Sequence, residues 1–277
     1  MSHLSGGPLN SQRTNHPYPM RTIKYGLSES QVGDLYVPGA TRPPVVCLLH
    51  GGFWRMPYGR DEFSPVARDL AARGFAVWNL EYRRLGAPGG GWPGTLQDVA
   101  AGIDHLARLV AEGVELDLSR VVVVGHSAGG QLALWCAARR GKQGVLRTPA
   151  SVQPAAAAGL AAVVDLARTF SLSAENSPVG ELLGGSPDEQ PDRYAAASPM
   201  ALLPLGVNQL IVHGVMDEAL PIEITRDYVQ AAKAAGDSVQ FSELPNAGHM
   251  DYLDPGSEAH VTLCRWLKQF ANGAAPP

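Results

Sequence analysis

Charge is sparse in this 277-residue chain: Asp, Glu, Lys and Arg make up 17% of it, the formal balance is −4, and no long basic run occurs. That removes the electrostatic reason to expect nucleic acid or an anionic membrane as a partner and leaves a small neutral molecule as the better fit. Long apolar runs are also missing. The longest, from Ala155 to Val164, is far short of the roughly 20 residues that cross a bilayer, so no membrane association is expected. The three cysteines, Cys47, Cys136 and Cys264, are odd in number and lie inside apolar patterns. They read as small buried hydrophobes in a reducing compartment, not as a disulfide framework. Residues 1–20, MSHLSGGPLNSQRTNHPYPM, lack the basic start and apolar core of a secretory signal and read as a flexible lead-in. A cytoplasmic location is the expectation. No pair among the eight histidines falls at the HxH or HxxxH separation that sets two imidazoles on one face, so neither a metal nor another cofactor is expected.

What the chain does have is apolar content, 45% of its residues, enough for one large domain with a substantial core. No internal repeat interrupts it, and the domain is assigned to residues 21–277. From Arg42 onward short β-branched runs alternate with longer helical patterns, the rhythm of a mostly parallel sheet covered by helices on both faces, an α/β fold. Strands are expected at Pro44–Leu49, Ala76–Tyr82, Val121–Val124, Gly159–Val163, Gln209–His213 and Val239–Leu244, with an antiparallel edge pair at Thr22–Lys24 and Gly33–Val37. Helices are expected at Asp61–Arg73, Thr95–Glu112, Ala128–Arg140, Pro221–Ala235 and Gly256–Phe270. The stretch at about 165–205, rich in Pro, Ser and Gly, is too long for a plain connection and reads as a small cap over the site. The sequence leaves a homodimer open.

The most informative segment is VVVVGHSAGG, Val121 to Gly130. A β-branched run breaks at a glycine, presents Ser127, and enters an alanine- and leucine-rich helix. A serine hydroxyl attacks carbonyl carbon only when a base removes its proton, so a catalytic serine needs a position that an imidazole and a substrate can both reach. A turn tight enough to provide this crowds the flanking backbone, and glycine, here Gly125 and Gly129, tolerates the crowding. In open sheets ligands bind beyond the carboxyl ends of the strands. Four chemically loaded segments fall there: His50-Gly51-Gly52-Phe53-Trp54, Ser127, Asp217 and His249.

Taken together, HGGFW, GHSAGG, HGVMDEALP and NAGHMDY resemble the α/β-hydrolase superfamily, with nucleophile, acid and histidine in the expected chain order. The match spans roughly residues 20–272, and within the superfamily it is similar to small serine esterases and arylformamidases. The resemblance implies Ser127 as nucleophile, His249 as general base and then acid, and Asp217 as the carboxylate that orients the imidazole. It implies an oxyanion hole formed by the N–H of Ala128 with N–H groups from Gly51, Gly52 or Phe53. Glu218, Asp251 and Asp254 are rival carboxylates; Asp217 is preferred because it follows a strand end by a short loop. His50, His126 and His213 read as holding backbone shape by hydrogen bonds rather than moving protons. Trp54 and Trp92 are assigned to the substrate pocket, with Phe170, Met216, Leu220, Met250 and Tyr252 nearby in sequence.

The expected activity is cleavage of small carboxylic esters through an acyl-enzyme. The HGGFW loop keeps a second reading, an arylformamidase acting on N-formylkynurenine. A non-catalytic binding protein on the same fold is the third, since fold alone does not fix function.

Overall fold

The computed structural model describes residues 19–139 and 150–271. Among these, eight strands form a single sheet: β1 (Met20–Lys24), β2 (Val32–Tyr36), β3 (Pro44–Leu49), β4 (Ala76–Leu80), β5 (Asp117–His126), β6 (Ala156–Leu160), β7 (Asn208–Gly214) and β8 (Val239–Leu244). Their order across the sheet is β1-β2-β4-β3-β5-β6-β7-β8. The pair β1/β2 is antiparallel and β2 joins β4 antiparallel, while β3 to β8 all run parallel. The expected edge hairpin and parallel sheet are both present.

Parallel strands buried on both faces need apolar residues at every position, and alternate residues then serve opposite layers. In β3, Val45, Cys47 and Leu49 join one core cluster while Val46 and Leu48 join another. The first layer is covered by helix α2 (Gly94–Ala111), through Leu96, Val99, Ile103 and Leu106, and by helix α3 (Ala128–Ala137). The second is covered by α1 (Ser64–Ala72) and, at the chain's end, by a helix over Glu258–Ala271. Between them in sequence come three short helices, α4 (Leu166–Ser171), α5 (Pro178–Leu183) and α6 (Pro191–Ala197), and then α7 (Ile222–Ala234); the terminal helix is α8. Helix α7 packs Ile224, Tyr228 and Val229 against Leu134 of α3 and Ile211 of β7.

Several boundaries differ from the sequence reading; β5, expected at Val121–Val124, runs over Asp117–His126. The strand expected at Gly159–Val163 lies at Ala156–Leu160. Alanine has little intrinsic preference for strands, but small side chains let α3 approach the sheet here. A Cβ added at Gly130 would stand 2.5 Å from Ala162 Cβ, and one at Gly159 would stand 2.9 Å from the same atom. The helix expected from Asp61 starts at Ser64, after a 3₁₀ turn at Arg60–Phe63, with Pro65 in its first turn, where a missing N–H costs nothing. The strand expected to reach Tyr82 stops at Leu80. The proposed helix end at Arg140, its stop at Gly141, and residues 1–18 of the lead-in lie outside the described residues.

Strand β5 runs to His126 and α3 starts at Ala128, so the reversal is made by Ser127 alone, at φ 53° and ψ −118°. This left-handed conformation is costly for a residue with a side chain and persists only where its surroundings over-determine it. The amide of Ser127 donates to the Leu160 carbonyl, and its own carbonyl accepts from Gly130, Gln131 and Val163. There is no room for a flanking side chain. A Cβ at 125 would lie 2.0 Å from the Gly129 oxygen, and one at 129 would lie 2.1 Å from the Leu49 oxygen and 2.3 Å from that of His50. All of these are backbone atoms of adjoining segments. Gly129→Ala therefore destabilises the fold by about 3 kcal/mol or more, lowering the melting temperature by roughly 6–12 °C. An unchanged melt would contradict the packing described for the turn.

Candidate active site

Ser127, His249 and Asp217 come from three separate connections at the carboxyl ends of β5, β8 and β7. Ser127 Oγ lies 3.0 Å from His249 Nε2, and His249 Nδ1 lies 2.8 Å from Asp217 Oδ2. The carboxylate faces Nδ1, so that nitrogen carries the proton, and Nε2 is bare and accepts the serine hydroxyl. The rival acids serve elsewhere: Asp251 accepts from the Gly248 amide, Asp254 accepts from the Gly256 amide, and Glu218 is exposed.

The side chain of Asp217 is fully buried. Burial by itself would raise its carboxyl, yet hydrogen bonds from His213, His249 and the Leu220 amide outweigh burial and hold it well below the usual carboxylate range. Its other oxygen, Oδ1, accepts the amides of Ala219 and Leu220, both at 2.9 Å, which fixes the loop after β7 around the carboxylate. His213 takes more part here than the shape-holding role read from sequence. Its Nε2 is 3.1 Å from the Leu220 carbonyl and 3.3 Å from Asp217 Oδ2, so it donates to both. Nδ1 sits 2.7 Å from Thr225 Oγ1 on α7. A histidine four residues before the acid, at the end of the same strand, was the available sequence signal.

The other two histidines hold backbone. His126 Nε2 donates to the carbonyl of His249 at 2.7 Å, and its ring stacks on Tyr252. Burial, reinforced by the nearby His249, pushes this imidazole down to about 3, so it stays neutral and donates as a fixed group. His50 Nδ1 is 2.8 Å from the Gly51 carbonyl and Nε2 is 2.8 Å from Glu81 Oε1, with the ring stacked on Tyr82 at 4.4 Å. The glycine loop is thus tied down at its start.

Within that loop Gly52, Phe53 and Trp54 all have positive φ, at 92°, 57° and 55°, and the Arg55 amide closes the turn onto the Gly52 carbonyl. Two non-glycine residues in the left-handed region mark a held conformation. Trp54 is buried by it, with Nε1 donating to Gln131 Oε1 of α3, while Gln131 Nε2 donates to the Ala197 carbonyl of α6. Phe53 is exposed.

Beside Ser127 and His249 opens a small cavity of about 90 Å³, lined by Phe53, Trp54, Ala128, Val163, Leu172, Val179 and Leu220, with Thr169, Ser173, Pro178 and Ala219 completing it. Its walls are mostly apolar. Trp54 and Leu220 are where the sequence put them, but Trp92 is not in the lining. It is half-buried against the core with its amide on the Leu182 carbonyl, placed there by the adjoining β4–α2 connection. Phe170 packs on Tyr194, Tyr252 on His126, and Met216 and Met250 are exposed. The contributions of α4, α5 and the turn between them, inside the 165–205 stretch, could not be assigned from a segment without a motif.

Among the described residues one group, Asp69, His260 and Cys264, has the ligand types and spacing to hold a metal, and none of the three lines this cavity. The thiols of all three cysteines are free and buried. No helix among the described residues is long and apolar enough to cross a membrane.

The depressed carboxyl of Asp217 fixes the sign of a pH effect. Its folded value lies below the unfolded value near 3.9, so the stability it contributes is complete above that pH and is lost as pH falls through the folded value. In urea unfolding, the advantage of the wild type over Asp217→Asn should not shrink between about pH 8 and pH 5, and should shrink below about pH 4. Shrinkage already under way between those first two values would show that the carboxyl is not held down.

Three relatives place this architecture. The chain is 27% identical to Esterase LipC of Mycobacterium tuberculosis over 289 residues, covering 97% of this chain and 69% of that protein. It is 27% identical to kynurenine formamidase of Danio rerio over 137 residues, 48% of this chain and 43% of that one. A truncated carbohydrate esterase from gut microbiota superposes with a TM-score of 0.81 at 22% identity, covering 93% of this chain and 98% of that chain. The model of the BD-FAE family matches residues 34–231. The chain belongs to the BD-FAE family and is an esterase-like α/β-hydrolase.

Proposed function

We propose that the protein is a serine hydrolase of small carboxylic esters, with Ser127, His249 and Asp217 as its catalytic residues. The observation that carries this is the continuous hydrogen-bond line from Ser127 Oγ through the His249 ring to a buried, ionised Asp217. Ser127 Oγ attacks the ester carbonyl carbon while its proton passes to His249 Nε2. The imidazolium that forms is stabilised by Asp217. Collapse of the tetrahedral intermediate breaks the bond to the alcohol oxygen, which takes the proton from Nε2. Water, activated by the same nitrogen, then attacks the acyl-enzyme and releases the acid and free Ser127.

Charge on the carbonyl oxygen needs donors in place before it develops. The amides of Ala128, Gly52 and Phe53 donate to no backbone acceptor among the described residues, which supports their assignment as that set. Gly51 lies close by, where a Cβ would meet Ser127 Cβ at 3.3 Å. Gly52 is the sensitive position, because a Cβ there would stand 2.1 Å from Tyr58 Cβ on a backbone at φ 92°.

The small apolar cavity favours short acyl groups, with α4 and α5 acting as the cap proposed for residues 165–205. Buried free thiols fit a reducing, cytoplasmic setting. The match to kynurenine formamidase supports formamide cleavage by the same groups as the second reading.

Turnover of a short-chain p-nitrophenyl ester and of N-formylkynurenine, measured side by side, tests the assignment. Ser127→Ala should lower kcat on the ester by about 10⁵-fold, and Gly52→Ala by about a hundredfold with little change in KM. A formamide rate several orders of magnitude above the ester rate would reverse the order of the two readings. Ester turnover that survives Ser127→Ala would refute the mechanism.

A further inference from the structure

We propose that Asp69, His260 and Cys264 form a binding site for one thiophilic divalent cation of the zinc class, on the helical face formed by α1 and α8. His260 and Cys264 are one helical turn apart on α8 and so project from the same side. Asp69, on α1, meets them across the helix pair. His260 Nε2 is 2.6 Å from Asp69 Oδ2 and 3.1 Å from Cys264 Sγ, and Sγ is 3.9 Å from Oδ2. Three donor atoms around a tetrahedral zinc ion stand about 3.3–3.6 Å apart. The cation therefore fits after the nitrogen and carboxylate separate by under about 1 Å, a movement open to Asp69, whose side chain is 28% exposed.

The donor set suits this chemistry. An imidazole, a thiolate and one carboxylate favour zinc over the hard cations, which prefer all-oxygen sites. His260 is buried, and its Nδ1 has no hydrogen-bond partner among the described residues, so that nitrogen is available to carry the proton when Nε2 ligates. Binding replaces the Sγ proton, which goes to solvent, and moves the imidazole proton from Nε2 to Nδ1 so that Nε2 can ligate. Arg73, now hydrogen-bonded to both carboxylate oxygens, remains as a donor to Oδ1 once Oδ2 turns to the metal.

The fourth ligand would come from the adjoining cavity. Cys264 borders a cavity of about 490 Å³ that Arg73, Arg120 and Lys268 also line. These cations favour hydroxide or a small anion as the remaining ligand over neutral water. Sequence reading looked for paired imidazoles and passed over a His-x₃-Cys whose third member sits 191 residues away.

The untagged full chain, stripped with a chelator, tests the site by calorimetric titration with Zn²⁺ and by absorption on adding Co²⁺. The wild type should take up one equivalent of Zn²⁺ and show a thiolate-to-cobalt charge-transfer band. Cys264→Ser should lose that band, and Asp69→Asn should bind Zn²⁺ at least tenfold more weakly. Both variants should keep wild-type ester turnover, which separates this site from Ser127. Less than half an equivalent bound by the wild type, or undiminished affinity in folded Asp69→Asn, overturns the proposal.

Discussion

The backbone of one residue governs the rest of this molecule. Ser127 turns the chain from strand to helix at φ 53°, a conformation worth about 1–3 kcal/mol of strain. It survives because the surrounding chain leaves no alternative: Leu160 holds its amide, Gly130, Gln131 and Val163 hold its carbonyl, and two glycines admit the backbones of β3 and α3. The strain lifts the hydroxyl out of the sheet's end. Everything else in the site is arranged around that point.

Each remaining group is anchored by a different layer of the fold. The β7 end carries His213 and Asp217, and α7 reaches in with Thr225 to fix the His213 ring. The β5 end carries His126, which grips the carbonyl of His249 and so registers the loop after β8 against the turn at Ser127. Gln131, a single turn into α3, joins Trp54 of the glycine loop to Ala197 of α6. Positions set by strands and buried hydrogen bonds hold the proposed proton relay more tightly than loops alone could. This explains why so many polar side chains, costly to bury, are buried at one end of the sheet.

Most of this fold was legible from sequence because burial on both faces writes a simple pattern. The valines of β5 and the mixed apolar run of β3 read as strands, and α2 and α7 read as helices from their periodicity. The alanine run of β6 did not, since what places it is close helix approach, a tertiary property. The site divided in the same way. Ser127, Asp217 and His249 stand in short motifs next to strand ends, and they meet at hydrogen-bonding distance. Trp92 was assigned by composition and proximity, but a neighbouring connection draws it into the core. Val179 and Thr169 reach the cavity from helices with no motif, Leu172 reaches it from the turn between them, and the link between Asp69 and His260 spans most of the chain. Contacts made by distant segments leave no local trace.

The central claim is that the strained turn and the imidazole together make one hydroxyl nucleophilic, among the many serines of the chain. The most direct measurement is peptide mapping by mass spectrometry after exposure to a fluorophosphonate. The account predicts a single adduct, on the peptide containing Ser127, whose formation is abolished in folded His249→Ala. Labelling spread over several serines, or an adduct at Ser127 that forms equally fast without the imidazole, would contradict it.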